Sequence, residues 1–160
     1  MERLLIVAVA SRLPAWVETG CQDYLARMPR EFAIKRTQVK PESRTHGLTD
    51  AKILEHEAKR ILAALPQGAK LIALDERGRD LTTAQFARHL RRWLDEGTPT
   101  AFLVGGPDGL HRELTSRAAM SVRLSSLTLP HALAQLLLCE QLYRAASLLS
   151  GHPYHREGQA

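Results

Sequence analysis

Thr100-Ala101-Phe102-Leu103-Val104-Gly105-Gly106-Pro107-Asp108-Gly109 is the stretch on which the fold turns. Five apolar or β-branched residues run without interruption into a glycine-rich turn, the pattern of a strand buried on both faces that stops abruptly. Two more runs of the same kind lie upstream, Lys70 to Leu74 and Arg3 to Ala10. Strands covered on both faces belong to a sheet sandwiched between helices, and the segments between these runs have helical spacing.

Working outward, Pro14 opens a helix carrying Trp16, Val17, Cys21, Tyr24, Leu25 and Met28 up to Pro29. Phe32 to Val39 reads as a second, more polar edge strand, and 40–47 as a polar, partly basic loop. Thr49 or Asp50 caps a helix with Ile53, Leu54, Ala58, Ile61, Leu62 and Leu65 along one stripe. The third strand, Lys70 to Leu74, is followed by a turn, Asp75 to Asp80, and Thr82 or Thr83 caps a helix to about Glu96. After the glycine turn come a helix from about Arg112 to Met120, a short strand from Ser121 to Leu124, and a hydroxyl-rich turn. A last helix starts with Pro130 at its first position and runs to about Ser150. The expectation is one α/β domain over residues 1–160, a mostly parallel sheet with helices on both faces.

Composition narrows the function classes. Hydrophobic residues at 44% and charged residues at 24% describe a soluble globular chain and exclude disordered and fibrous classes. No apolar run approaches membrane-spanning length and the start carries no signal-peptide pattern, so a cytoplasmic protein without membrane contact is expected. Cys21 and Cys139 form neither a Cys-x-x-Cys pair nor a Cys/His cluster, and His152 and His155 lack a third ligand, so no metal is expected. A net charge of +5 fits a polyanionic partner, while 5% aromatic residues argue against a broad base-stacking platform.

Ligands of open parallel sheets bind beyond the carboxyl ends of strands, which selects the turns after Leu74, Val104 and Leu124. Gly105 and Gly106 allow close approach to the main chain. Gly-x-Gly-x-x-Gly and the phosphate-loop Lys-Ser/Thr ending are both absent, and Asp108 would repel phosphate. A polar ligand that is not polyanionic, such as an adenosine bearing an amino acid, suits the turn; a plain tight turn before a helix explains it equally simply. Ser125-Ser126-Leu127-Thr128-Leu129-Pro130-His131 is open to two readings as well. Its hydroxyls serve as helix caps, or Leu127 and Leu129 sandwich a planar ring whose edge the backbone reads. Arg144, Tyr154 and Arg156 are either a cationic and aromatic RNA surface or a solvated helix face with a loose terminus.

Taken in order, the glycine turn, Leu127-Thr128-Leu129-Pro130-His131, Leu142-Tyr143-Arg144-Ala145 and His152-Pro153-Tyr154-His155-Arg156-Glu157 resemble the RlmH family of ribosomal RNA methyltransferases. Val7-Ala8-Val9, Pro14-x-Trp16-Val17-x-Thr19-Gly20 and Tyr24-Leu25 are similar to that family's amino terminus. The resemblance implies a SPOUT-type fold with a C-terminal deep trefoil knot, bound S-adenosyl-L-methionine, and a homodimer whose partner subunit completes the active site. It implies methylation of N3 of a pseudouridine in helix 69 of 23S ribosomal RNA, on the assembled ribosome. Cofactor contacts would fall on Leu74, Gly105, Gly106, Ser125, Ser126, Leu127, Thr128, Leu129 and Pro130. RNA contacts would fall on His131, Arg144, His152, Tyr154 and Arg156, with Arg144, Tyr154 and His155 as catalytic candidates. Ala10, where the family's first strand often ends in glycine, and the extension Gly158-Gln159-Ala160 are the departures. The rival expectations are a non-catalytic ribosome- or RNA-binding protein of the same fold and a transfer RNA methyltransferase.

Overall fold

A computed structural model describes residues 2–45 and 47–155. Strand β1 (Leu4–Val9) is buried along its whole length, and its alternation assigns it to two cores at once. Leu4, Ile6 and Ala8 pack on one face with Ile72, Phe102, Val104 and Val122. Leu5, Val7 and Val9 pack on the other with Leu71, Ala101 and Leu103. The sheet is all parallel, in the order β2-β1-β4-β3-β5, where β2 is Ile34–Val39, β3 Lys70–Asp80, β4 Thr100–Val104 and β5 Met120–Arg123.

Helices α1 (Ala15–Ala26), α3 (Thr83–Asp95) and α5 (His131–Leu149) cover the first face; α2 (Asp50–Ala63) and α4 (Arg112–Arg117) cover the second. Phe86 and Trp93 of α3 meet Phe102 of β4 edge to face, with ring centroids 6.2 and 5.8 Å apart, which locks that helix to the sheet. Thr49 caps α2 through the Lys52 amide at 3.2 Å. Thr82 and Gln85 form a reciprocal capping box on α3, at 3.1 and 2.9 Å. Among the described residues no helix is long and apolar enough to cross a membrane.

The expected α/β architecture and the polar edge strand are both present, and three local expectations need correction. Asp75 to Asp80 is not a plain turn: β3 continues through it, with a register shift between Leu74 and Arg79 that brings Arg79 opposite Val122. Gly78 permits this, because a Cβ there would meet the β5 main chain at 2.7 Å. Helix α4 ends at Arg117 rather than Met120, since Met120 already pairs with Ile72 in β5. Pro130 is the N-cap of α5 rather than its first helical residue, in extended conformation, and no side chain caps that end.

Candidate active site

Because β4, β3 and β5 are adjacent and parallel, the loops after them emerge on one edge of the sheet. They enclose a cavity of about 510 Å³, walled by Leu74 to Arg77, Val104 to Leu110, Leu124 to His131 with Ser126 left out, and Ala134. Leu74, Gly105, Gly106, Ser125, Leu127, Thr128, Leu129, Pro130 and His131 are thus brought together; Ser126 is not among the lining residues.

The glycine segment owes its shape to its residue types. Gly106 to Gly109 closes a β-turn, the Gly109 amide donating to the Gly106 carbonyl at 2.9 Å. Pro107 occupies the position that favours its fixed φ, and Gly109 has φ +80°, a left-handed conformation suited to glycine. Opposite this turn, the Ser125 hydroxyl accepts from the Leu127 amide at 2.9 Å. That bond projects Leu127, which is 77% exposed and the most exposed large apolar side chain described, at the cavity. Solvating a leucine so fully makes sense where a flat apolar group is to cover it.

Behind the glycine turn lies a polar support absent from the sequence reading. Asp108 forms an ion pair with Arg44 of the 40–45 segment, so the carboxylate that would repel an anion is already engaged. Glu57 of α2 is buried, and its Oε2 accepts from the Glu42 amide at 3.0 Å. Burial pushes the Glu57 carboxyl above the ordinary carboxylate range, outweighing that hydrogen bond. Glu42 in turn holds Arg60 at 2.6 Å and His56 at 3.2 Å. The spacing that could have pointed to Glu57 is visible in α2, where it falls on the buried stripe with Ile53 and Ile61.

The other candidates gather at the far end of α5. Glu140 accepts from Arg144 Nε at 2.8 Å, Arg144 Nη2 at 2.6 Å and the Tyr154 hydroxyl at 3.2 Å. His155 Nδ1 lies 3.3 Å from Arg144 Nη1, and the Arg144 guanidinium sits over the Tyr154 ring at 4.8 Å. Tyr154 also meets Tyr143 edge to face at 4.6 Å, and Arg27 lies over Tyr143 at 4.7 Å. Hydrogen bonding to Glu140 raises Arg144 above its usual value, and burial raises Tyr154 far above that of a free phenol. His152 accepts the Tyr154 amide at 3.2 Å and stays exposed. Arg156 lies outside the described residues. Glu140 was missed as a functional residue, although its i, i+4 spacing to Arg144 was the available signal.

The two clusters do not meet within one chain. His131 at the start of α5 lines the cavity, whereas Arg144 lies about 20 Å further along the same helix at ~1.5 Å per residue.

Comparison with known proteins gives these features a lineage. Residues 2–155 match the family model described as predicted SPOUT methyltransferase. The chain is 53% identical over 154 residues to the ribosomal RNA large subunit methyltransferase H of Bordetella avium (strain 197N), covering 96% of this chain and 99% of that one. It is 51% identical over 156 residues to the protein of the same name from Dechloromonas aromatica (strain RCB), covering 98% and 99%. Among solved structures, a probable methyltransferase from Bordetella pertussis Tohama I superposes with a TM-score of 0.53 at 20% identity, covering 91% of this chain and 96% of that one. With likeness along nearly its whole length, the chain belongs to the SPOUT methyltransferases and, among them, to the RlmH family.

Proposed function

We propose that the protein methylates N3 of a pseudouridine in helix 69 of 23S ribosomal RNA on the assembled ribosome, as a homodimer in the cytoplasm. It is a ribosomal RNA methyltransferase that uses S-adenosyl-L-methionine. The target nucleotide is what the likeness to the RlmH family implies, and the homodimer rests on one observation, the separation of the cavity from the Arg144 cluster along α5. A site needing both must draw them from two chains.

The cavity residues fit that cofactor. Leu74, Leu127 and Leu129 offer apolar walls for a purine ring, and the Gly105 to Gly109 main chain offers close polar contact without a cation cradle for phosphates. When bound, S-adenosyl-L-methionine supplies an electrophilic methyl group on its sulfonium. The protein's own contribution is to hold donor and acceptor in line. Ser125, Gly105, Gly106, Thr128 and Pro130 would fix the ribose and ring edge, with Ser126 beyond them.

The acceptor N3 is an imide that must lose its proton, and a cation beside it favours the anion. Arg144, held rigidly by Glu140, is suited to that task and to binding phosphate. Tyr154 remains protonated through the physiological range and therefore orients as a donor rather than acting as base. His131, His152, His155 and Arg156 complete the proposed RNA contacts. Dimerisation is supported by α5, which is apolar nearly all round, and by Trp16 of α1, 64% exposed beside it. The trefoil threading belongs to the same proposal, consistent with a cavity built from the three loops around β3, β4 and β5.

Unmodified 70S ribosomes incubated with labelled S-adenosyl-L-methionine, followed by mass spectrometry of digested RNA, test the reading. Label confined to one 3-methylpseudouridine supports it, whereas label on transfer RNA alone overturns it.

A further inference from the structure

We propose that Arg79, at the far end of β3, and Arg88 and Arg92, on α3, form a second contact for the ribosomal RNA backbone, outside the methyl-transfer cavity. The inference rests on ribosomal RNA being the substrate. It does not depend on which nucleotide is methylated.

All three side chains are exposed. Arg88 and Arg92 are one helical turn apart, so their like charges repel across the same face of α3. Among the described residues neither Arg79 nor Arg88 has a carboxylate partner. Two acidic residues beside them along the chain are otherwise engaged: Asp80, next to Arg79, pairs with Arg123, and Glu96, one turn beyond Arg92, pairs with Lys70. Arg92 reaches Glu96 only at 3.8 Å and contacts His89 Nδ1 at 3.0 Å.

His89 shows that the three charges converge. Its ring stacks on Trp93 at 5.5 Å, and after burial it is Arg92, Arg79 and Arg88 that push its pKa down. A neutral His89 keeps Nδ1 as an acceptor, which steers the Arg92 guanidinium along the helix surface.

The patch also continues from the active site. Arg77 lines the cavity rim, and Arg79 follows two residues later, both exposed on the β3 extension. β3 ends at Asp80 and α3 begins at Thr83, so Arg79 stands just ahead of the first turn of the helix that carries Arg88 and Arg92. A line of guanidinium groups leading away from a methyl-transfer cavity matches the continuous charge of an RNA strand.

The test uses the full-length protein, its Arg79→Ala/Arg88→Ala double variant and Arg88→Lys. Methylation kinetics on unmodified 70S ribosomes are measured from 50 to 200 mM salt. Filter binding of oligouridylate is measured over the same range. In the double variant KM for ribosomes should rise about tenfold while kcat and S-adenosyl-L-methionine affinity hold. The salt slope for oligouridylate should become shallower by about 1.4, at ~0.7 per lost phosphate contact, and Arg88→Lys should keep the wild-type slope. Unchanged KM and slope overturn the proposal. A raised KM with an unchanged oligouridylate slope also overturns it, because the patch would then face a ribosomal protein. Oligouridylate binding is read whether or not ribosomes are turned over, so failure of the patch and failure of the functional reading are distinguishable.

Discussion

The main chain of Gly109 fills the space that a side chain on Gly105 would need. The two ends of the glycine turn therefore lie in contact, and the obstacle is backbone rather than a side chain able to swing away. Gly105→Ala is expected to push the turn open and weaken S-adenosyl-L-methionine binding at least about tenfold, roughly the effect of losing ~1.4 kcal/mol of contacts. Gly109→Ala should cost about 1 kcal/mol through its left-handed backbone alone. Isothermal titration calorimetry on both variants distinguishes these effects, and equal binding by Gly105→Ala and wild type would remove the turn from the cofactor site.

Glu57 gives a pH-dependent prediction. Its pKa is raised in the folded protein by burial, so it adds stability below the ordinary carboxylate value, and this is lost as pH rises through the folded value. Glu57→Gln keeps an acceptor for the Glu42 amide without the buried charge. That variant should be at least as stable as wild type at pH 7, with its advantage shrinking as pH falls towards the ordinary carboxylate range. Glu57→Ala leaves the amide unpaired and should cost about 1–3 kcal/mol in urea unfolding. It also removes the carboxylate that packs behind Gly106, so it should weaken cofactor binding when Glu57→Gln does not. Equal losses in the two variants would show that the hydrogen bond is not what matters.

The main architecture is legible in the sequence because burial on both faces writes itself as unbroken apolar runs, as in Leu4 to Val9 and Thr100 to Val104. The cavity is legible for a related reason: parallel strands send their following turns to one edge, and each turn carries its own residue signature. What escapes is non-local. Nothing in Asp75 to Asp80 announces that the segment pairs with β5, since its partner is some forty residues away and the register shift is set by Gly78 meeting that strand. Arg44 with Asp108, and Glu57 with the Glu42 amide, are non-local in the same way: the helical spacing places Glu57 on a buried stripe, but no local pattern names either partner before the fold brings them together.

At the far end of α5, Tyr154 and Arg144 share one acceptor, Glu140. Tyr154→Phe removes one donor and leaves the ring edge to face with Tyr143, so folding should be nearly unchanged, with a loss of about 1 kcal/mol or less. Methylation should fall several-fold, and its pH profile should show no new ionisation, because the phenol is protonated throughout in wild type. Glu140→Ala frees both partners and should cut kcat further while S-adenosyl-L-methionine affinity holds. Truncation after Gly151 with full methylation retained would exclude the tail from the site.

The distance along α5 makes the two-chain site directly testable. In the proposed homodimer Gly105→Ala impairs a cavity and Arg144→Ala a distal cluster, and with S-adenosyl-L-methionine held well below the Kd of the Gly105→Ala variant each variant alone should keep only a small fraction of wild-type activity. If each site combines one chain's cavity with the other chain's cluster, a heterodimer of the two variants holds one site with both defects and one site with neither. Equimolar co-refolding gives about half heterodimers, so activity should recover to about a quarter of wild type. If instead each chain served its own cavity, every site in the mixture would carry one defect and no activity would return. Measuring methylation of unmodified ribosomes after mixing therefore decides the geometry without a structure of the dimer, and the recovered fraction, rather than mere recovery, is the quantity to compare.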